Sequence, residues 1–196
     1  MSSIFAMTAF ALIMSVSPGP VNVVTLSSGL NFGIFRTLPF VSGATVGFTA
    51  LLVVFGLGMS QIIEANSTVL IPLKYGGAIY ILYMAQKIAF ATDTNAPEDQ
   101  DESRPSFLDG ALLQWLNPKA WLACLSGVAS FTVPDDGSSL LLFSTLYFVI
   151  CFLGVGSWAI LGSQVYRRPF INNNRQRLNK ILGAGLALVA LYLCLT

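Results

Sequence analysis

The chain has 196 residues, of which 55% are hydrophobic and only 10% charged, with a mean hydropathy of +0.72. A soluble domain carries about 25% charged residues, so lipid must solvate part of this apolar surface. Histidine is absent, which excludes or disfavours zinc sites, haem ligation by His and Ser-His-Asp chemistry.

The other composition signals are also negative. Cys124, Cys151 and Cys194 are odd in number, sit in apolar runs and form no C-x-x-C pair, which removes a disulfide framework and a thiol–disulfide relay. The net charge of +1 sums segregated patches and by itself says nothing about nucleic acid. No metal, cofactor or nucleic-acid partner is expected. The first residues lack a positive n-region and run on into a long apolar stretch, so they are expected to form a retained first span.

A span needs about 20 mostly apolar residues. Stretches near 4–28, 38–60, 69–91, 107–131, 139–165 and 178–196 qualify, predicting an all-α membrane protein of about six transmembrane helices. The last is the weakest, because its uncharged part from Ile181 is roughly 24 Å long at about 1.5 Å per residue. Lys180 can snorkel to lengthen it. The first, third and fifth loops with their flanks hold Arg36, Lys87, Arg104, Arg167, Arg168, Arg175 and Arg177, whereas the second and fourth offer only Lys74. The positive-inside rule places the odd loops in the cytoplasm and both termini outside. A solvated acidic linker, 92–106 with Glu98, Asp99, Asp101 and Glu102, separates halves of about 1–91 and 107–196 within a single transporter domain. Two sets of three spans must enter the membrane in opposite senses, which is an inverted repeat.

The most informative residues are Ser17-Pro18-Gly19-Pro20 in the first span and Asn117-Pro118-Lys119 in the fourth. A proline inside a helix removes an N–H and frees the carbonyl four residues back. Pro18, Pro20 and Pro118 would free those of Met14, Val16 and Gln114. In hydrocarbon such groups need protein or a water-lined cavity. Ser-Pro and Asn-Pro are also helix-start signals, a capping side chain followed by proline at the first helical position. Two half-helices beginning mid-membrane would turn free N–H groups towards a carboxylate, while freed carbonyls nearby could receive an ammonium. A tolerated kink is the bland alternative for either proline.

Lys119 is the only charge near the centre of a span, and an intramembrane charge is a functional candidate by default. It reads as a carboxylate contact, a proton-exchanging group or a structural lysine bonding to freed carbonyls. Asn22 is a candidate ligand just after the first break. Asp109 lies ten residues before Lys119, too far along a regular helix to pair with it, and stands as a candidate proton relay or gate. Gly43 and Gly47 have the small-x-x-x-small spacing that lets helices approach closely. Gly154, Gly156, Gly162, Gly183 and Gly185 carry the same packing expectation. Trp115 and Trp121 flank the second break as packing residues, and Tyr75, Tyr80 and Tyr83 fit an interface or a path.

In chain order these features resemble the LysE/RhtB family of amino-acid exporters. Pro18-Gly19-Pro20 and Asn117-Pro118-Lys119-Ala120 are similar to its two signature motifs. Gly43-Ala44-Thr45-Val46-Gly47, Leu73-Lys74-Tyr75-Gly76-Gly77-Ala78-Ile79-Tyr80, Phe107-x-x-Gly110 and the Arg-rich fifth loop extend the likeness over nearly the whole chain. The nearest branch is the cysteine and O-acetylserine exporters of Gram-negative inner membranes. Arg36-Thr37-Leu38-Pro39 departs from the usual Gly two residues after the Arg, and Pro39 is expected to alter the start of span 2. The resemblance implies no enzyme but secondary-active efflux of a small amino acid from the cytoplasm, driven by the proton gradient. Pro18, Gly19, Pro20 and Asn22 would form one half-site, and Asn117, Pro118 and Lys119 the other. A membrane-embedded enzyme would need clustered acids, nucleophiles or His at one depth. A non-transporting scaffold would tolerate loss of Pro118 and Lys119. The substrate's identity and homo-oligomerisation stay open.

Overall fold

A computed structural model describes residues 4–59, 68, 70–91, 104–133, 136–166 and 174–195. Residues 98–102 of the acidic linker and Arg167 and Arg168 of the fifth loop lie outside them. The described residues are almost entirely helical, with no strand among them. In chain order the helices are α1 (Ile4–Val16), α2 (Pro20–Phe32), α3 (Ile34–Val54, continued by one π-helical turn, Phe55–Met59), α4 (Leu70–Ala89), α5 (Phe107–Trp115), α6 (Pro118–Phe131), α7 (Gly137–Tyr166) and α8 (Arg175–Leu195).

Three helical segments are long and apolar enough to cross a membrane: Ile34–Gly58, Gly137–Val165 and Arg175–Leu195. The pair α1 and α2, bent by 60° at its break, passes the same test of length and apolarity when taken together. The expected third span is α4, which has the length but carries Lys74, Lys87 and Gln86, so its apolarity is diluted. The expected fourth is divided at Asn117 into α5 and α6, each too short to cross alone. The last helix is longer than its uncharged part suggests. It starts at Arg175, and 21 residues at 1.5 Å rise reach about 32 Å. The chain also runs helically through Pro39. The turn between α2 and α3 is made by Gly33 alone, whose φ of 78° suits glycine, so Pro39 does not break the start of the second span.

Close packing comes from small residues. A Cβ on Gly43 would run into the backbone of Phe107, and one on Gly47 would lie 2.7 Å from Ala111 Cα, so α3 and α5 cross backbone to backbone. Gly154 on α7 meets Ser15 on α1 in the same way, with 2.7 Å between the added Cβ and Ser15 Cβ. Gly29 and Gly162 bring α2 against α7, and Gly183 brings α8 against α4. Without a hydrophobic driving force between helices in lipid, this van der Waals fit is the main adhesive.

The first half of each broken helix therefore packs on the long helix of the other half of the chain. The second halves differ. Most of α2 is buried, whereas α6 buries only Ala120, Ala123, Cys124 and Gly127.

Overpacking typically costs about 1–3 kcal/mol. For a chain of this size that lowers the thermal midpoint by roughly 2–12 °C. Gly43→Val is expected to show such a drop in detergent. Gly185→Val, whose added Cβ would meet nothing within 4 Å, should melt close to the native chain. Equal midpoints would contradict the packing assigned to Gly43.

Candidate functional site

The two helix breaks meet. Lys119, in the first turn of α6, extends its half-buried side chain across to the break between α1 and α2. Its Nζ donates to Ser17 O at 2.6 Å, to Ser17 Oγ at 2.7 Å and to Pro18 O at 3.4 Å. Gly19 makes the room: a Cβ there would lie 3.1 Å from Lys119 Cδ and 3.3 Å from Nζ. A lysine at the centre of a span costs about 2.5–3.5 kcal/mol on insertion scales. Hydrogen bonds to a charged group contribute about 1.5–3 kcal/mol each, so the two short contacts offset that cost.

The carbonyls at the end of α1 are also taken. Asn22 Nδ2 donates to Ser15 O at 2.9 Å and Ser17 O at 2.8 Å, turning back from α2 to clamp the end of α1. Met14 O accepts from Ser17 Oγ at 3.2 Å, and Val16 O accepts from Trp158 Nε1 of α7 at 3.1 Å. The carbonyls freed by Pro18 and Pro20 are thus taken by a hydroxyl and an indole. The carbonyls that meet an ammonium are those of Ser17 and Pro18, a correction to the sequence expectation.

The second break departs from expectation in a similar way. Asn117 Oδ1 accepts from Lys119 N at 3.1 Å, and Asn117 O accepts from Ala120 N and Trp121 N. The first N–H groups of α6 are therefore spent on their own cap, not held open for a carboxylate. Gln114 O accepts from Asn117 N at 3.2 Å. Trp121 Nε1 donates to Trp115 O at 2.7 Å, and its ring packs edge-on against Phe55. The start of α2 is different. Gly19 is its N-cap in extended backbone and has no side chain with which to cap, so the N–H groups of Val21 and Asn22 stay uncapped.

Between the breaks lies a cavity with about 380 Å³ of empty space, part of it open to the outside. Gly19, Val21, Asn22, Asn117 and Lys119 line it, and so does Ser15, a residue the sequence reading passed over. Pro18 and Pro20 shape the break without lining the cavity. The far wall is α7, with Tyr147, Cys151 and Val155, and Phe48 of α3 stacks on Tyr147 at 4.4 Å between ring centroids. The signal for Ser15 was a polar residue inside an apolar run, which Ser17 and Pro18 overshadowed.

Asp109 does not reach Lys119. Its carboxylate completes a capping box with Ser106 at the start of α5, accepts from Tyr80 Oη at 3.0 Å and pairs with Lys87 at 3.4 Å. A second polar cluster ties α2 to α8. Ser27 Oγ and Asn31 Nδ2 donate to Asn179 Oδ1 at 3.3 and 3.0 Å, Asn179 Nδ2 donates to Asn31 Oδ1 at 2.8 Å, and Arg175 donates to Asn31 O at 2.7 Å. Both clusters lie on the side where the basic loops gather.

The chain matches the family described as LysE type translocator over residues 12–196. It belongs to that family. Among its relatives, the "Cysteine/O-acetylserine efflux protein" of Klebsiella pneumoniae is 31% identical over 192 residues, covering 95% of this chain and 94% of that protein. Proteins of the same description from Escherichia coli and Shigella flexneri are each 29% identical over 191 residues, covering 95% of this chain and 93% of theirs. No solved structure matches. As a LysE type translocator with these helices, the chain is a multi-pass inner-membrane translocator and not an enzyme.

The clamp made by Asn22 has a measurable consequence. Asn22→Leu would leave the Ser15 and Ser17 carbonyls without their amide donors. Ser17 O keeps Lys119, and the Ser15 carbonyl left unpaired costs about 1–3 kcal/mol, so the thermal midpoint should fall by roughly 2–12 °C. An unchanged midpoint would show that the break does not depend on Asn22.

Proposed function

We propose that this translocator exports a small neutral amino acid of the cysteine or O-acetylserine kind, driven by the proton gradient, and that the substrate binds between the two helix breaks. The observation that carries the reading is the contact of Lys119, which lines the cavity, with Ser17 O and Pro18 O at the adjoining break. An α-amino acid is a zwitterion and carries both halves of that contact. Its ammonium replaces Lys119 on the Ser17 and Pro18 carbonyls. Its carboxylate takes up the released Lys119 ammonium and the uncapped N–H groups of Val21 and Asn22. Charge is conserved in the exchange, and no carbonyl is left bare. Pro18, Gly19 and Pro20 hold the carbonyls and the N–H groups in place, while Asn117 and Pro118 aim Lys119.

The cycle is alternating access between two halves of three spans, 1–91 and 107–196, joined by the linker 92–106. In support, α1 crosses α7 as α5 crosses α3. The enclosed α2 and the sparsely packed α6 fit a state sealed towards the basic loops and open on the other side. The Asn31–Asn179–Arg175 cluster and the Asp109–Lys87 pair form that seal, which gives Asp109 the role of a gate. No carboxylate lines the cavity among the described residues, so proton exchange falls to Lys119.

A scaffold role has one observation in its favour, since Lys119 also satisfies backbone in the resting structure. Amino-acid release from cells separates the two. Expression should raise extracellular cysteine or O-acetylserine above an empty vector. Lys119→Met should cut that release at least tenfold, the equivalent of one lost charge-assisted hydrogen bond. Gly19→Ala, which crowds Lys119, should reduce it severalfold. No raised amino acid from the native chain, with the protein in the membrane, would sink the export reading.

A further inference from the structure

The hydroxyl of Ser15 stands at the edge of the cavity, beside Tyr147 and Cys151 of α7. Ser15 is the penultimate residue of α1, is 6% exposed and lines the cavity. Among the described residues its Oγ makes no hydrogen bond of ordinary geometry, and its polar neighbours are the Tyr147 hydroxyl and the Cys151 thiol. A buried polar group left unpaired costs about 1–3 kcal/mol, so it needs an account, and packing supplies none. Its backbone is held, because its carbonyl accepts from Asn22. Its side chain is walled in by α7, where Gly154 comes so near that a single added carbon would lie 2.7 Å from Ser15 Cβ. The hydroxyl is therefore fixed in position at the edge of the cavity. The Ser17 and Pro18 carbonyls and Lys119 lie just beyond it along the break.

We infer that Ser15 is the residue that reads the substrate's side chain, selecting small amino acids whose β-substituent carries a hydrogen-bonding hydroxyl, thiol or ester oxygen. This rests on the placement of the zwitterion between the two breaks proposed above. With the ammonium on the Ser17 carbonyl and the carboxylate on Lys119, the side chain extends towards Ser15 and α7. A hydroxyl both donates and accepts. It accepts from a substrate O–H or S–H, and it donates to the oxygen of an ester. A site built to pair a polar substituent rejects the apolar isostere, because that isostere leaves the protein's buried group unpaired. Phe48, Val155 and the ring of Tyr147 bound the space and hold the side chain to a few atoms.

The test compares isosteric pairs in exchange assays on the full chain in proteoliposomes: serine against alanine, and cysteine against 2-aminobutyrate. The native protein should prefer the polar member of each pair. Ser15→Ala should shrink that preference roughly tenfold. Ser144→Ala removes the other buried hydroxyl without a partner, which does not line the cavity, and it should leave the preference as it was. A collapse of the ratio in Ser15→Ala alone supports the assignment, since a merely structural loss would slow both members equally. Exchange with an unchanged ratio in Ser15→Ala, or no preference in the native chain, overturns the role of Ser15 while leaving export intact. Absence of exchange for all four amino acids from the native chain overturns the substrate placement and the Ser15 assignment together.

Discussion

Everything at the centre of this protein depends on how an ammonium group is kept in the middle of a membrane. Lys119 is too costly there alone, and the break between α1 and α2 leaves the carbonyls of Ser17 and Pro18 outside any helix. Each solves the other's problem, with Nζ 2.6 Å from Ser17 O. Glycine at position 19 leaves the lysine its room, because a Cβ there would crowd it at 3.1 Å from Cδ. It also requires Asn117 and Pro118 to start α6 at the depth of the first break. The two signature stretches, a hundred residues apart in sequence, are thus halves of one contact.

That contact is strong enough to hold the breaks together and simple enough to be replaced. An amino-acid zwitterion offers the same cation to the same carbonyls and a partner for the lysine besides. On the proposed reading, binding exchanges one ammonium for another at the breaks. Movement between states would fall instead to the helices around the site. Their crossings through Gly43, Gly47 and Gly154 are apolar and closely fitted. The polar ties at Asn31, Asn179, Arg175, Lys87 and Asp109 gather on one side.

The breaks were legible in the sequence because proline and its capping neighbour announce a helix start wherever they occur. Lys119 was legible as a lone charge at mid-span. The partner of its ammonium was not, since the sequence does not reveal which of several freed carbonyls another helix can reach. Local chemistry took Met14 O and Val16 O through Ser17 and Trp158, leaving Ser17 O and Pro18 O for the lysine. The cap at Asn117 was read as opening an anion site. The same side chain instead closes it, because an asparagine close enough to mark a helix start also satisfies that start. Asn31 and Asn179 give no signal of their own in the sequence. Only the packing of α8 against α2 turns them into a joined cluster. Ser15 stayed hidden because a serine in an apolar helix ordinarily bonds to its own backbone, and only burial without such a bond sets it apart.

The central claim is that the cavity holds a zwitterion by its two charges at once. Binding to the purified protein in lipid nanodiscs tests it with three thiols: cysteine, cysteamine, which lacks the carboxylate, and 3-mercaptopropionate, which lacks the ammonium. The account predicts that cysteine binds at least about tenfold more tightly than either analogue, since each analogue forfeits one set of charge-assisted hydrogen bonds. Equal binding of either analogue would contradict the exchange of substrate ammonium for Lys119.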